Sequence, residues 1–254
     1  MTDEKQEDLA EGSLLSHLIE LRSRLFKIFG AVFLVFLALL PFSKMIFNFV
    51  AQPLVRVVPN GELIALSPVS PLTATIGLTF YLSLFIAMPI ILYQVWAFVA
   101  PGLYLKEKRF GIPLLVTSIA LFFTGMAFAY FVVFPLIFGF VSTFTPDSVN
   151  YQPDMTQYVS FVMMVVLVFG LAFETPIATV LLVLTGLTTT EKLGAARAYV
   201  FLGAFVVGML LTPPDVISQT MLAVPVYLLY ELGIFMSRLV SRRDKKVAEE
   251  EAVK

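Results

Sequence analysis

The 254-residue chain contains no cysteine, one histidine and one tryptophan, and only 14% of its residues are charged. The missing thiols exclude disulfides, thiol catalysis and Cys-ligated metals. His17, the single histidine, makes neither a metal cluster nor a catalytic dyad by itself and is read as shaping the N-terminal helix. A Gly-rich phosphate loop of the Walker type is missing, as are an HExxH motif and a serine placed near a histidine within an apolar run. Nucleotide-driven work and intramembrane proteolysis therefore have no support in the sequence, and no enzyme activity, cofactor or metal is expected. A cleavable leader is not expected either, because the first 24 residues are acidic and polar and the first apolar run starts at Leu25.

What the chain has in quantity is hydrocarbon. With 59% hydrophobic residues and 25 phenylalanines it is too apolar for a soluble domain of its length, and it reads as a polytopic membrane protein. A spanning helix needs roughly 20 mainly apolar residues. Six runs qualify: Leu25–Phe42, Leu72–Phe98, Gly111–Phe140, Tyr158–Thr185, Ala198–Leu211 and Val216–Phe235. Of the 17 basic residues, all but Lys44 and Arg56 fall on one side of this arrangement, in the N-terminal segment, the second and fourth connections and the region from Arg238 onward. The positive-inside rule makes that side cytoplasmic and places both termini there. The expected fold is an all-α integral membrane protein with six transmembrane helices, one membrane domain over residues 1–240 that includes an amphipathic segment at 13–24, and a charged, disordered tail at 241–254.

Local chemistry refines this outline. The first external stretch, SKMIFNFVAQPLVRVV, alternates apolar and polar residues at helical spacing and is expected to lie along the outer interface. Pro89, Pro113, Pro135, Pro176 and Pro225 lie inside or beside spans, where each removes a backbone hydrogen bond. Bent helices in a concave body are one reading; simple tolerance of proline in packed membrane helices is the other. Between Arg197 and Pro213 there are only about 15 residues, which reach about 22 Å against a hydrocarbon thickness of about 30 Å. The fifth span therefore forms a short hairpin with the sixth and calls for a locally thinned bilayer or flanks that dip inward.

Glu174 is the one carboxylate in an otherwise uncharged run from Tyr158 to Leu187. An ionised carboxylate in hydrocarbon costs several kcal/mol unless it is paired, hydrated or protonated, so Glu174 is an intramembrane functional site or else a buried acid bonded to a neighbouring helix for packing. Hydration in a water-accessible hollow is the reading preferred from sequence. Near the chain's N-terminus, Leu14, Leu15, Leu18, Ile19 and Phe26 recur at helical spacing, with Glu20 among them and Arg24 four residues later. Glu231 is two turns from Arg238 on one helix face and reads as structural.

Five separated stretches, HLIELRSRL, YQVWAFVAPGLY, GMAFAYFVVFPL, the FET that contains Glu174 and GAFVVGMLLTPPDVISQT, together resemble TatC, the multispanning component of the twin-arginine protein translocase. The resemblance covers essentially the whole chain. It implies a receptor in the bacterial inner membrane that binds the twin-arginine signal peptides of folded cargo, works with TatA- and TatB-type single-span subunits and other copies of itself, and is driven by the proton-motive force. Glu20, Glu107, Arg22 and Phe98 match signal-peptide-binding positions, Glu174 matches an intramembrane acid, and Met209, Thr212 and Gln219 match a cluster that contacts a partner's transmembrane helix. The chemistry suits the role, since a guanidinium pairs bidentately with carboxylates.

Each assignment has a plainer counterpart. Glu20 and Arg24 form an ordinary helix-surface pair, worth about 0.2–0.5 kcal/mol. Glu107 is a solvated loop acid, and Arg22 is one of the inside charges that set topology. Ser218 and Thr220 satisfy their own helix backbone, and Asp215 caps the sixth span. Asp147 and Asp154, in the third connection, carry no interpretable motif. The competing function is a proton-coupled secondary transporter that uses Glu174, although the two halves show no evident repeat.

Overall fold

The computed structural model describes residues 3–55, 63–99, 111–144, 146, 152–211 and 216–252. Helices account for nearly all of this. In chain order they are α1 (Asp3–Leu39), α2 (Ser43–Val55), α3 (Ser70–Ile86), α4 (Met88–Val99), α5 (Gly111–Phe128), α6 (Phe134–Phe144), α7 (Met155–Ala172), α8 (Thr175–Leu184), α9 (Thr190–Ala195), α10 (Arg197–Leu211) and α11 (Val216–Ala252). Among the described residues there is no sheet, only one isolated bridge between Ile64 and Asp154.

Four helical stretches are long and apolar enough to cross a membrane, and the bent pair α3–α4 makes a fifth. A further apolar helix is α10, whose 15 residues match the short length expected from sequence for this stretch and fall below the length of the candidate spans. The amphipathic segment at 13–24 is no separate element. It continues into the first span as one 37-residue helix. At the other end, α11 runs on through residues 241–252, where the composition suggested disorder. Its lysines, arginines, glutamates and alanines are strong helix formers, so a helix already nucleated in the span can propagate through them.

The prolines act in different ways. Pro89 and Pro176 each stand in the first turn of a new helix, where the missing N–H costs nothing, and each follows a break. The first break, at Ala87, turns α3 into α4 by 48°; the second, at Phe173 and Glu174, divides α7 from α8. Pro135 follows a π-helical turn at Ala129–Val133 that links α5 to α6. Pro225, by contrast, sits inside α11 without interrupting it.

The core lies where α3, α5, α6 and α7 meet. Phe85, Phe122, Phe134 and Phe169 are fully buried there. Two glycines let the backbones approach. A Cβ on Gly125 would stand 2.5 Å from the Phe169 carbonyl oxygen, and one on Gly170 would stand 2.6 Å from the Phe122 ring. Any larger residue at either position forces the helices apart. A second pack joins α8 to α11, with Leu193, Tyr230 and Ile234 buried beside it.

Helix α2 is half buried against the rest of the fold. Ala51 is buried, whereas Met45 and Phe49 are exposed. Tyr158 donates its hydroxyl to the Val50 carbonyl at 2.8 Å and Tyr130 donates to the Phe49 carbonyl at 3.1 Å, while the Phe49 and Tyr130 rings stack with centroids 5.6 Å apart.

Asp154, opaque in the sequence, is the centre of a latch between two connections. Its Oδ1 accepts from the Thr156 and Gln157 amides at 3.0 Å each, which caps α7, and its Oδ2 accepts from the Leu66 amide at 3.2 Å. Two backbone bonds flank it: Ile64 N–H to the Pro153 carbonyl at 3.1 Å and Met155 N–H to the Ile64 carbonyl at 2.9 Å. The backbone donors, that of Gln157 foremost, hold the carboxyl below its ordinary value of 3.8.

Candidate functional site

The polar end of α1 meets the last two turns of α4 through one guanidinium. Arg24 donates from Nε to Glu20 Oε1 at 2.9 Å and from Nη2 to the same oxygen at 2.5 Å. It also reaches across to α4, where Nη1 donates to Gln94 Oε1 at 3.2 Å and Nη2 to the Ala97 carbonyl at 3.0 Å. Ala97 lies in the final turn of α4, whose carbonyls lack helical partners, so the cation also suits the negative end of that helix. Gln94 is buried. Phe98 follows Ala97 in the same turn and is half-buried.

The i,i+4 pair between Glu20 and Arg24 is thus real, but it is no isolated surface pair. Arg24 fixes the carboxylate's position relative to a second helix, a role that the sequence reading missed. Its signal was a buried glutamine in YQVW opposite a basic helix face, and nothing in the linear pattern joins residues 70 apart. Arg22 is placed differently. Two residues from Glu20 it points to the other side of α1, where it is exposed beside Ile19, Ser23, Phe26 and Lys27. Glu107, Thr212, Asp147 and Asp215 lie outside the described residues, as does the side chain of His17.

Glu174 occupies the break between α7 and α8. Its carboxylate makes no cap bond to α8. Instead Oε2 accepts from the hydroxyl of Ser118 on α5, and Oε1 is buried without a hydrogen-bond partner among the described residues. Of the sequence-stated possibilities, pairing with a polar group from another helix is therefore the one that this geometry realises on one oxygen. Ser118 is itself buried. Its part could not be read from sequence, because serine in a membrane helix usually bonds to its own backbone.

At the hairpin, α10 and α11 approach closely: a Cβ on Gly208 would stand 3.3 Å from the Gln219 carbonyl oxygen. Met209, next to Gly208, is exposed, and Gln219 is half-buried. Thr220 donates to the Val216 carbonyl at 2.6 Å, the local role expected as its plain alternative. At the opposite end of the hairpin Glu231 is held by Arg197 rather than by Arg238. The Arg197 Nε and Nη2 donate to Oε1 and Oε2 at 2.6 and 2.8 Å, and the Tyr227 hydroxyl adds a bond at 2.9 Å. The rigid fork of Arg197 at the start of α10 faces α11 directly, and this decides the pairing over the neighbour two turns away. Tyr230 completes the tie by donating to the Leu193 carbonyl at 2.8 Å. The short helix α10 is thereby fastened at both ends.

No group of histidines, cysteines or acids that would hold a metal ion occurs among the described residues. The polar sites are few, separate and built for hydrogen bonding across helices.

Comparison with known proteins agrees with this architecture. Residues 16–225 match the family model for TatC, the Sec-independent protein translocase protein. The chain is 53% identical over 226 residues to the TatC of Escherichia coli K12, covering 89% of this chain and 88% of that one. It is 40% identical over 236 residues to the TatC of Aquifex aeolicus, covering 92% and 98%. Among solved structures, a crystal structure of the twin-arginine translocase receptor TatC superimposes with a TM-score of 0.80 at 41% identity, over 89% of this chain and 99% of that one. The chain belongs to the TatC family of Sec-independent protein translocase proteins.

Proposed function

We propose that this protein is the signal-peptide receptor of a twin-arginine translocase, with Glu20 and Glu107 as the acids that read the two arginines. The observation that carries the reading is the clamp formed by Glu20, Arg24, Gln94 and the Ala97 carbonyl. A carboxylate that is already fixed to two helices presents its acceptors in one geometry, so binding an incoming guanidinium forfeits little side-chain freedom. Two incoming guanidinium groups call for a second carboxylate, supplied by the KEKR connection at Glu107. Phe98, in the turn that carries the clamp, offers an apolar contact for the residues that follow the arginines.

The distribution of Lys and Arg supports a six-span topology in the bacterial inner membrane with both termini in the cytoplasm. That orientation brings Glu20 and Glu107 to the side from which cargo arrives. Met209, Thr212 and Gln219 form the contact for a single-span subunit of the TatA or TatB type; an interhelical bond from Gln219 contributes about 0.6–2 kcal/mol. Glu174 conditions the bilayer beside the bound signal peptide, in a helix arrangement made concave by the breaks at Ala87 and Phe173, and export is driven by the proton-motive force.

Photo-crosslinkers placed beside Glu20 and Glu107 test the central claim. A twin-arginine peptide is expected to crosslink at both positions in the intact complex, and a twin-lysine version far less. Equal crosslinking of the two peptides, or none at either position, sinks the receptor assignment.

A further inference from the structure

Arg22 is turned away from the clamp, and the surface it serves has chemistry of its own. Arg22, Ser23 and Lys27 line an open concavity of about 570 Å³ together with Ile19 and Phe26. All three polar side chains are exposed, and Glu20, the nearest described acid in sequence, is taken by Arg24 on the other side of the helix. Directly below the cations the same face of α1 continues as Phe26, Phe29, Phe33 and Leu37, which are 69, 67, 58 and 47% exposed. The spacing of three or four residues keeps them in one line along the helix.

We propose that this face is a binding site for an anionic phospholipid. Arg22, Lys27 and the Ser23 hydroxyl hold the headgroup phosphate, and one acyl chain lies along Phe26, Phe29 and Phe33. The charge pattern selects the occupant. Two cations and a hydroxyl donor at the top of an apolar track match a phosphodiester joined to hydrocarbon, and they repel the ammonium of a zwitterionic choline headgroup. Both basic side chains are long enough to reach the headgroup level from a helix whose next turns are in hydrocarbon. Anionic lipids are concentrated in cytoplasmic leaflets, which is the side that the proposed topology gives to this end of α1; the inference rests on that topology but not on signal-peptide recognition.

The test is native mass spectrometry of the purified full-length protein, released from detergent containing equal amounts of phosphatidylglycerol and phosphatidylcholine. Wild type is expected to retain phosphatidylglycerol preferentially. Each of Arg22→Gln and Lys27→Gln is expected to lower that preference about five-fold, the ratio equivalent to about 1 kcal/mol per cation near an anionic surface. Phe26→Ala with Phe29→Ala should weaken retention of both lipids while leaving the preference intact, and Lys44→Gln should change nothing. Circular dichroism and gel filtration establish that the variants are folded, as exposed positions predict. A preference that survives the double Arg22→Gln, Lys27→Gln variant overturns the proposal. So does displacement of the lipid by millimolar glycerol phosphate, which would mark a free-phosphate site, or a preference that appears only with an added acidic peptide from a partner subunit. Twin-arginine peptide binding measured on Lys27→Gln separates the two readings: the receptor assignment predicts that it is retained whether or not the lipid is lost.

Discussion

Glu20 and Glu174 are both carboxylates on membrane helices, and the protein treats them in opposite ways. Glu20, at the polar end of α1, has a guanidinium that also grips a buried glutamine and a backbone carbonyl on α4. Glu174, at a helix break within the apolar run, has one serine hydroxyl and an oxygen without a hydrogen-bond partner among the described residues. The carboxylate at the polar end of its helix is partly exposed and paired with a cation. The carboxylate within an apolar run is given a neutral partner, because a lone cation there would need a counter-charge of its own.

The comparison can be broken at several points. The largest effect is expected from Glu20→Gln, which keeps the shape but removes the charge. Discrimination between twin-arginine and twin-lysine peptides should fall by about 10- to 100-fold, the range that corresponds to about 1.5–3 kcal/mol for a hydrogen bond to a charged group. Glu174→Gln should leave that discrimination unchanged in the same crosslinking assay, and a comparable loss would mean that the two acids share one task. Next comes Arg24→Met. It leaves the buried Gln94 oxygen and the Ala97 carbonyl without their donor, and thermal unfolding in detergent should show a loss of about 1–3 kcal/mol. Arg24→Lys should recover only part of it, since an ammonium cannot bridge three acceptors in a plane.

A smaller effect is expected deep in the bilayer. Ser118→Ala removes the side-chain hydrogen bond that the Glu174 carboxylate accepts from α5, and a cost of about 0.6–1.7 kcal/mol is the scale for interhelical bonds in membranes. The smallest effect belongs to a third carboxylate, outside the spans. Because backbone donors hold Asp154 below 3.8, its latch is fully present above that value and is lost as pH falls through the lower folded value. Hydrogen exchange at the Ile64 and Met155 amides should therefore quicken only in strong acid, and Asp154→Asn should remove the acid dependence at those two amides. Exchange that instead quickened near neutral pH would assign the latch to a different group.

How much of this was legible in the sequence follows from the range of each interaction. Apolar runs and the short α10 were readable because they are local, set by side chains and backbone within one turn; which of the five prolines would stand at a break was not. The need of Glu174 for a partner was readable too, since hydrocarbon imposes it whatever the fold. Partners themselves were not. Arg24 meets Gln94 across 70 residues, Glu174 meets Ser118 across 56, and Asp154 meets Leu66 across 88. Glu231 reads as structural from sequence, but the partner that makes it so, Arg197, comes from 34 residues away.

The 48° bend at Ala87 has a mechanical consequence. Because α1 packs against both α3 and α4, it works as a splint across that joint, with the Arg24 clamp as the fastening on the α4 side. Loss of that fastening would free the α4 side of the joint, so the firmness of the angle between two helices depends on a single guanidinium.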